Sequence, residues 1–473
     1  MPQKIEFDEK GNVVLKVNWK VALKVFFILA LAFASYFLPL PGLTTASRIC
    51  LAIFVGAAGF WITEAIPPFA TAIMVIVLSI YFLGFPGGPL GLKLQGVDTS
   101  YRIFLSPIAS PVLVLFFGGF ILAVAAAKHG FDVRLAKAFL KPFGTHPKMV
   151  LLGVIATTAC FSMFMSNTAT TAMMVAILTP LFTHFEGRDP FKKALVLAVP
   201  FAANIGGIGT IIGTPPNAVA ASVLGELGHP VSFFQWMLVG VPVVIILLFC
   251  TWVILLKVFK PREDHFEILF PEELEVTWDL VVVVVTFAST VGLWLTQPLH
   301  GIPSGVVALI PIMVFTMFGI IDRDDLRKIE WHVLILIAGG MTLGVAMKAS
   351  GLSDVLVGLI TGAGLSPLAL LIAFVVFSLV ISNFMSNTAA SNLMIPLVTG
   401  LSVISPVVGA IGVAFACSMA MSLPISTPPN AIAFATRAIE TRDMAKYGTL
   451  LSLIGLALLV SAIFLLKSFT DLI

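Results

Sequence analysis

Apolar runs of roughly 17–24 residues, separated by short polar or charged stretches, recur along the whole chain, and one such run spans a bilayer core as a helix. The pattern predicts spanning helices at about 21–38, 46–63, 69–84, 108–128, 192–225, 234–257, 277–297, 303–319, 330–350, 405–436 and 446–469. Two further regions, 148–184 and 367–400, are each an apolar run, a break and a second apolar run. Both breaks read Phe-Met-Ser-Asn-Thr-Ala, at Phe164–Ala169 and Phe384–Ala389. Were each region two full spans, its break would lie among lipid headgroups, where charge or a Gly/Pro turn is expected. With apolar residues directly on either side, a re-entrant hairpin fits better. Irregular backbone is tolerated at membrane depth only where protein or a cavity surrounds it.

The placement of positive residues tests this count. With the N-terminus in the cytoplasm and both hairpins re-entrant, cytoplasmic segments hold all but five of the 27 Lys and Arg. The five outside are Arg48, Lys93, Arg102, Lys348 and Lys467. Making one hairpin a full crossing would reverse every later loop, so eleven spans are expected, with the N-terminus inside and the C-terminus outside. The first run, from about Val21, follows a charged leader without a small-residue cleavage site and is read as a retained helix.

Composition agrees with a polytopic α-helical membrane protein: 59% of residues are hydrophobic and 11% charged, against about 25% charged in soluble domains. Cys50, Cys160, Cys250 and Cys417 lie inside apolar runs, without disulfide or metal-ligand spacing. The seven histidines fall in or near loops and interfaces, and none forms an HExxH motif, so an intramembrane hydrolase lacks candidate groups. Glu64 and Lys348 sit towards span ends and are expected in structural or snorkelling roles. A channel would need a continuous pore and no ion coupling.

The halves of the chain echo each other beyond the Ser-Asn-Thr tips. Trp61-Ile62-Thr63 with Ile66-Pro67 returns as Trp294-Leu295-Thr296 with Ile302-Pro303. Gly118-Gly119 before Gly130 returns as Gly339-Gly340 before Gly351, and Thr214-Pro215-Pro216-Asn217 returns as Thr427-Pro428-Pro429-Asn430. The hairpins open from opposite sides, so the repeats have inverted topology, the mark of a secondary transporter with a midplane site. Each proline pair breaks its helix, freeing carbonyls before the break and offering a helix N-terminus after it. Carbonyl, Ser and Asn oxygens suit a small hard cation, and helix N-termini attract an anion. Ile205-Gly206-Gly207-Ile208-Gly209 loosens the first break, whereas Ser418, Ser422 and Ser426 stand in the second, so the sites are similar but unequal. Apart from Lys148 at the start of the first hairpin, no Asp, Glu, Lys or Arg lies in either hairpin or around either proline break; a carboxylate proton relay has no carrier, and the anion must be held by neutral donors and helix ends.

These motifs, with Trp61-Ile-Thr-Glu-Ala-Ile-Pro, resemble the divalent anion:sodium symporter family over about residues 20–470. The stretch Cys417–Ile432 follows its C-terminal signature, apart from Met421; Ala433, just beyond that stretch, also departs from the family pattern. The resemblance implies a homodimer in which each protomer has a scaffold and a mobile transport domain that moves as an elevator. The expected organisation is a cytoplasmic leader 1–20, scaffold helices 21–128, a transport unit 129–225 and a connecting helix and linker 226–276. It continues with scaffold helices 277–350, a second transport unit 351–436 and a last helix 437–473. By resemblance, Ser166, Asn167, Thr168, Ser386, Asn387 and Thr388, with Thr214, Pro215, Thr427 and Pro428, bind substrate carboxylates. One sodium site draws on Ser162, Ser166, Asn167, Gly206 and Gly209; the other on Ser382, Ser386, Asn387, Ala420 and Pro424. The implied activity is sodium-coupled symport of C4-dicarboxylates (succinate, malate, fumarate), with sodium as coupling ion, no organic cofactor and no nucleic-acid partner. The alternatives are a dicarboxylate/2-oxoglutarate exchanger, or a citrate or sulfate carrier. A lipid-embedded homodimer in a bacterial inner membrane is expected.

Overall fold

A computed structural model describes residues 3–7, 13–85, 100–184, 190–262, 265, 275–361, 366–401 and 403–469. Lys10, Lys93 and Arg188 of the charge pattern lie outside the described residues. The body of the protein is helical, and among the described residues seven helices are long and apolar enough to cross a bilayer unbroken. One departure from the all-α expectation is a two-stranded antiparallel ladder in the leader, Gln3–Phe7 paired with Val13–Val17. In the first strand Lys4-Ile5-Glu6-Phe7 alternates charged with apolar residues, a period of two that suits a strand, and the second is rich in β-branched valine.

Both expected hairpins form as helix–turn–helix units. The first is Pro147–Ser162 followed by Asn167–His184, and the second Pro367–Ser382 followed by Asn387–Thr399. A proline at the first helical position, where a missing N–H costs nothing, starts the entering arm of each. The returning arms are capped by the serines of the two tips: Ser166 Oγ accepts from Ala169 N at 3.3 Å and Ser386 Oγ from Ala389 N at 3.2 Å. Both proline-broken helices are broken in the structure, as Pro190–Gly207 with Pro215–Glu226 and as Pro406–Ser418 with Pro428–Ala435.

The repeat also sets the packing. Trp61 Nε1 donates to the Pro68 carbonyl at 3.0 Å, and Trp294 Nε1 to the Ser304 carbonyl at 3.1 Å. Each buried indole thus staples one helix to the start of the next. A Cβ at Gly118 would collide with Ala308, and one at Gly339 with Ala72, so both glycines permit close helix contact. Gly130 and Gly351, with φ of 65° and 74°, then turn the chain into short amphipathic helices at Phe131–Leu140 and Leu352–Thr361. Neither is among the expected spans, since ten residues with a charged face carry no spanning signal.

Outside the spans, Lys128 ties the end of Pro111–Lys128 to Asp322 and Asp325, and Lys328 Nζ lies 2.8 Å from Asp325 Oδ1. Burial disfavours the charged form of Asp325, but the bonds from Lys128 and Lys328 outweigh it and hold the carboxyl well below the usual range.

A cavity between the two Ser-Asn-Thr tips

The hairpin tips, more than two hundred residues apart in the chain, meet across one cavity of about 720 Å3. Ser166, Asn167 and Thr168 line it from one side, Ser386, Asn387 and Thr388 from the other, and Thr214, Pro215, Thr427 and Pro428 complete the wall. All ten residues assigned to substrate by resemblance therefore share a single space. Four helices begin there: Asn167–His184, Pro215–Glu226, Asn387–Thr399 and Pro428–Ala435. Their N-terminal N–H groups and dipoles make an electropositive wall without a cationic side chain, since no Lys or Arg lines the cavity among the described residues. Glu64, Glu330 and His332 also line it, where Thr45–Thr63 ends and Trp331–Ala349 begins. Glu64, expected as a structural span-end residue, caps Thr45–Thr63 in the left-handed conformation, with φ 48°.

Behind each tip lies a nest of neutral oxygens. Ser162 Oγ is hydrogen-bonded to Asn167 and donates to the Ala203 carbonyl at 2.7 Å. The terminal amide of Asn167 also lies 3.2 Å from the Ala203 carbonyl and 3.1 Å from the Gly213 carbonyl. A Cβ at Gly207 would fall 2.7 Å from the terminal amide of Asn167, so only glycine leaves that amide its place. Behind the second tip, Ser382 Oγ lies 2.9 Å from Asn387 Oδ1 and 3.0 Å from the Cys417 carbonyl. The carbonyls in contact are thus those of Ala203, Gly213 and Cys417, around the same breaks as Gly206, Gly209, Ala420 and Pro424. The Gly206 carbonyl itself accepts from Gly209 N at 2.9 Å and closes a turn.

A model of the citrate transporter family matches residues 58–406 and 293–472. The chain belongs to this family. Its members are carriers, and the chain is a transporter rather than an enzyme. It is 31% identical to the sodium-dependent dicarboxylate transporter SdcS of Staphylococcus saprophyticus, over 88% of this chain and 85% of that one. The SdcS of Staphylococcus aureus matches at the same identity and coverage. Among solved structures, the Alcanivorax borkumensis YdaH transporter aligns with a TM-score of 0.57 at 14% identity, covering 85% of this chain and 99% of that one. Neisseria gonorrhoeae MtrF, described as illuminating a class of antimetabolite efflux pumps, aligns with a TM-score of 0.54 at 12% identity, covering 85% and 96%. Those two likenesses concern the fold.

In this citrate-transporter-family chain the broken helices are held open by asparagines whose roles the sequence reading left unassigned. Asn217 Nδ2 donates to the carbonyls of Gly207 (2.9 Å), Thr210 (2.7 Å) and Ile208 (3.4 Å). Asn430 Nδ2 donates to Met421 (3.0 Å) and Leu423 (2.8 Å). Their place two residues after the first proline of each Thr-Pro-Pro-Asn was the available signal. Asn383, next to Ser382, accepts from Ser422 N at 3.0 Å and takes the place of Met163 in the first repeat.

A second cavity of about 810 Å3 is lined by Leu115, Ile211, Glu226, Gln235 and Gln297 among others. Leu115 and Ile211 face this space while their chain neighbours Phe116 and Ile212 face the first, so one apolar layer divides the two.

Proposed function

We propose that the protein is a sodium-coupled symporter of C4-dicarboxylates such as succinate, malate and fumarate. The observation that carries this reading is the meeting of two Ser-Asn-Thr tips and four helix N-termini in one cavity that no Lys or Arg lines among the described residues. Two donor-rich tips match the two carboxylates of one substrate. The Ser162–Asn167 and Ser382–Asn387 nests, with nearby carbonyls, are the sodium sites, and bound sodium supplies charge that no side chain offers. Relatives named sodium-dependent dicarboxylate transporters support both assignments. The family model's description keeps citrate, a longer carboxylate, as the second reading.

Eleven spans with the N-terminus in the cytoplasm make the Glu64–Glu330 end of the cavity the cytoplasmic mouth. The Leu115–Ile211 layer then closes the path to the outside. Residues 129–225 and 351–436 form the transport domain, which moves as an elevator against scaffold helices 21–128 and 277–350, in a homodimer within a bacterial inner membrane.

Proteoliposome uptake of labelled succinate, with sodium, potassium or internal dicarboxylate varied, tests the reading. Uptake should require sodium. Uptake that ignores sodium and needs internal dicarboxylate would make the protein an exchanger. In calorimetry, sodium and succinate should raise each other's affinity by one common factor. Asn167→Ala and Asn387→Ala should each nearly abolish transport, and butyrate should compete poorly because one tip stays unfilled. Butyrate binding as tightly as succinate would refute the two-tip site.

A further inference from the structure

The two repeats are joined through a buried side chain that their pseudo-two-fold pattern does not repeat. Asn204, fully buried near the end of Pro190–Gly207, donates from Nδ2 to Asn430 Oδ1 at 3.1 Å and to Thr427 Oγ1 at 3.2 Å. Its orientation is forced. Asn430 Nδ2 is committed to the carbonyls of Met421 and Leu423, so Asn430 has only its oxygen left for Asn204. On its other side Asn204 shares a peptide unit with Ala203, whose carbonyl accepts from Ser162. A continuous path therefore runs from Ser162, through the Ala203–Asn204 peptide and Asn430, to the carbonyls of the second broken helix.

The counterpart of Asn204 is Ser418, because Ser162 and Ser382 donate to the carbonyls of the residues just before each, Ala203 and Cys417. Ser418 is too short to cross and turns back to the Ala414 carbonyl at 2.9 Å. Asn217 Oδ1, which corresponds to the Asn430 oxygen that receives the bridge, is buried and finds no donor among the described residues. The bridge exists in one direction, and the place where the other would end is an unpartnered acceptor.

We infer that Asn204 is the positioning residue that couples the two sodium sites, so that filling one orders the carbonyls of the other. This rests on the proposed sodium-coupled function. A cation drawn to the Ser162–Asn167 nest fixes the Ala203 carbonyl and with it the peptide plane that aims Asn204. Asn204 then holds Asn430, and Asn430 holds Met421 and Leu423. Coupling is reciprocal, so occupancy of the second site steadies the first by the same factor, typically about 5- to 150-fold between coupled sites.

Calorimetric sodium titrations of the purified full chain without succinate test this, read as the steepness of the sodium dependence, with succinate binding measured separately with and without sodium. The wild type should approach a Hill coefficient of about 2, the ceiling for two sites. Asn204→Ser, which installs the residue of the other repeat, should lower it towards about 1. Adding Ser418→Asn to that variant should restore the steepness, because the new amide reaches the unpartnered Asn217 oxygen; Ser418→Asn alone should steepen the response or hold it at the ceiling. Thermal melts report folding of each variant. A folded Asn204→Ser chain with wild-type steepness, or a double variant that stays shallow, would overturn the inference, and so would a wild-type coefficient of about 1. Should Asn204→Ser not fold, a Ser418→Asn chain with a shallower response than the wild type would overturn it. Sodium-independent binding in the wild type would instead overturn the proposed function, and the inference with it.

Discussion

Asn217 and Asn430 occupy matching places and use the same amide hydrogens on the same kind of partner, yet truncating them should cost different amounts. In Asn430→Ala the Met421 carbonyl loses its donor, while Leu423 keeps the 3.1 Å bond from Ser426 N. Asn204 also loses the acceptor that orients it, keeping Thr427 alone. One orphaned buried carbonyl costs about 1–3 kcal/mol and one lost hydrogen bond about 1 kcal/mol, so the change should destabilise by about 3 kcal/mol. In Asn217→Ala the Gly207 carbonyl loses its donor, but Ile208 keeps Trp236 Nε1 at 3.0 Å and Thr210 keeps Gly213 N at 3.3 Å. The substitution also removes Asn217 Oδ1, a buried oxygen without a donor, which returns about 1–2 kcal/mol. The net cost should be about 1 kcal/mol, leaving a gap of about 2 kcal/mol between two symmetry-related mutations. The assay is thermal unfolding of the purified proteins in one detergent, free of sodium and substrate so that ligand binding does not mask the difference. The midpoint should fall further for Asn430→Ala than for Asn217→Ala. Equal midpoints, or the reverse order, would refute the hydrogen-bond accounting on which both the held-open breaks and the Asn204 bridge depend.

Ser162→Ala and Ser382→Ala should each raise the sodium needed for half-maximal uptake about tenfold, since each removes one oxygen from a site made only of neutral ligands; an unchanged sodium dependence in both would place the cations elsewhere. Cysteines introduced at Lys260 should react with an impermeant reagent only from the cytoplasm, and those at Gly228 and Ser366 only from outside; Lys260 and Gly228 reacting from one side would break the eleven-span topology. The lowered carboxyl of Asp325 gives a pH test. Its ion pairs stabilise the fold fully above the ordinary aspartate value of about 3.9 and are lost as pH falls through the lower folded value. Below about pH 4 the wild-type melting midpoint should therefore decline more steeply than that of Asp325→Asn, and parallel declines would remove the ion pairs from the account of stability.

What the chain determines by itself follows from short-range rules. The length of an apolar run decides whether a helix can span, a proline decides where it breaks, and a serine or threonine before the next turn decides where it restarts. These rules made the two hairpins, the two broken helices and the duplicated Ser-Asn-Thr tips legible before any coordinates. They missed Phe131–Leu140 and Leu352–Thr361, because a ten-residue amphipathic helix is defined by the interface it lies on rather than by its own hydropathy. The pairing of partners across the fold was decided by tertiary packing alone. Nothing in the local sequence says that Ser162 meets the carbonyl of Ala203, or that Asn204 reaches Asn430. Every backbone carbonyl is chemically the same acceptor, so choosing among them depends on where the second repeat lays its helices against the first. The same packing turns a nearly symmetric sequence into an asymmetric site, since a difference as small as Asn204 against Ser418 acquires meaning only when the residue opposite is within reach of one side chain and beyond the other.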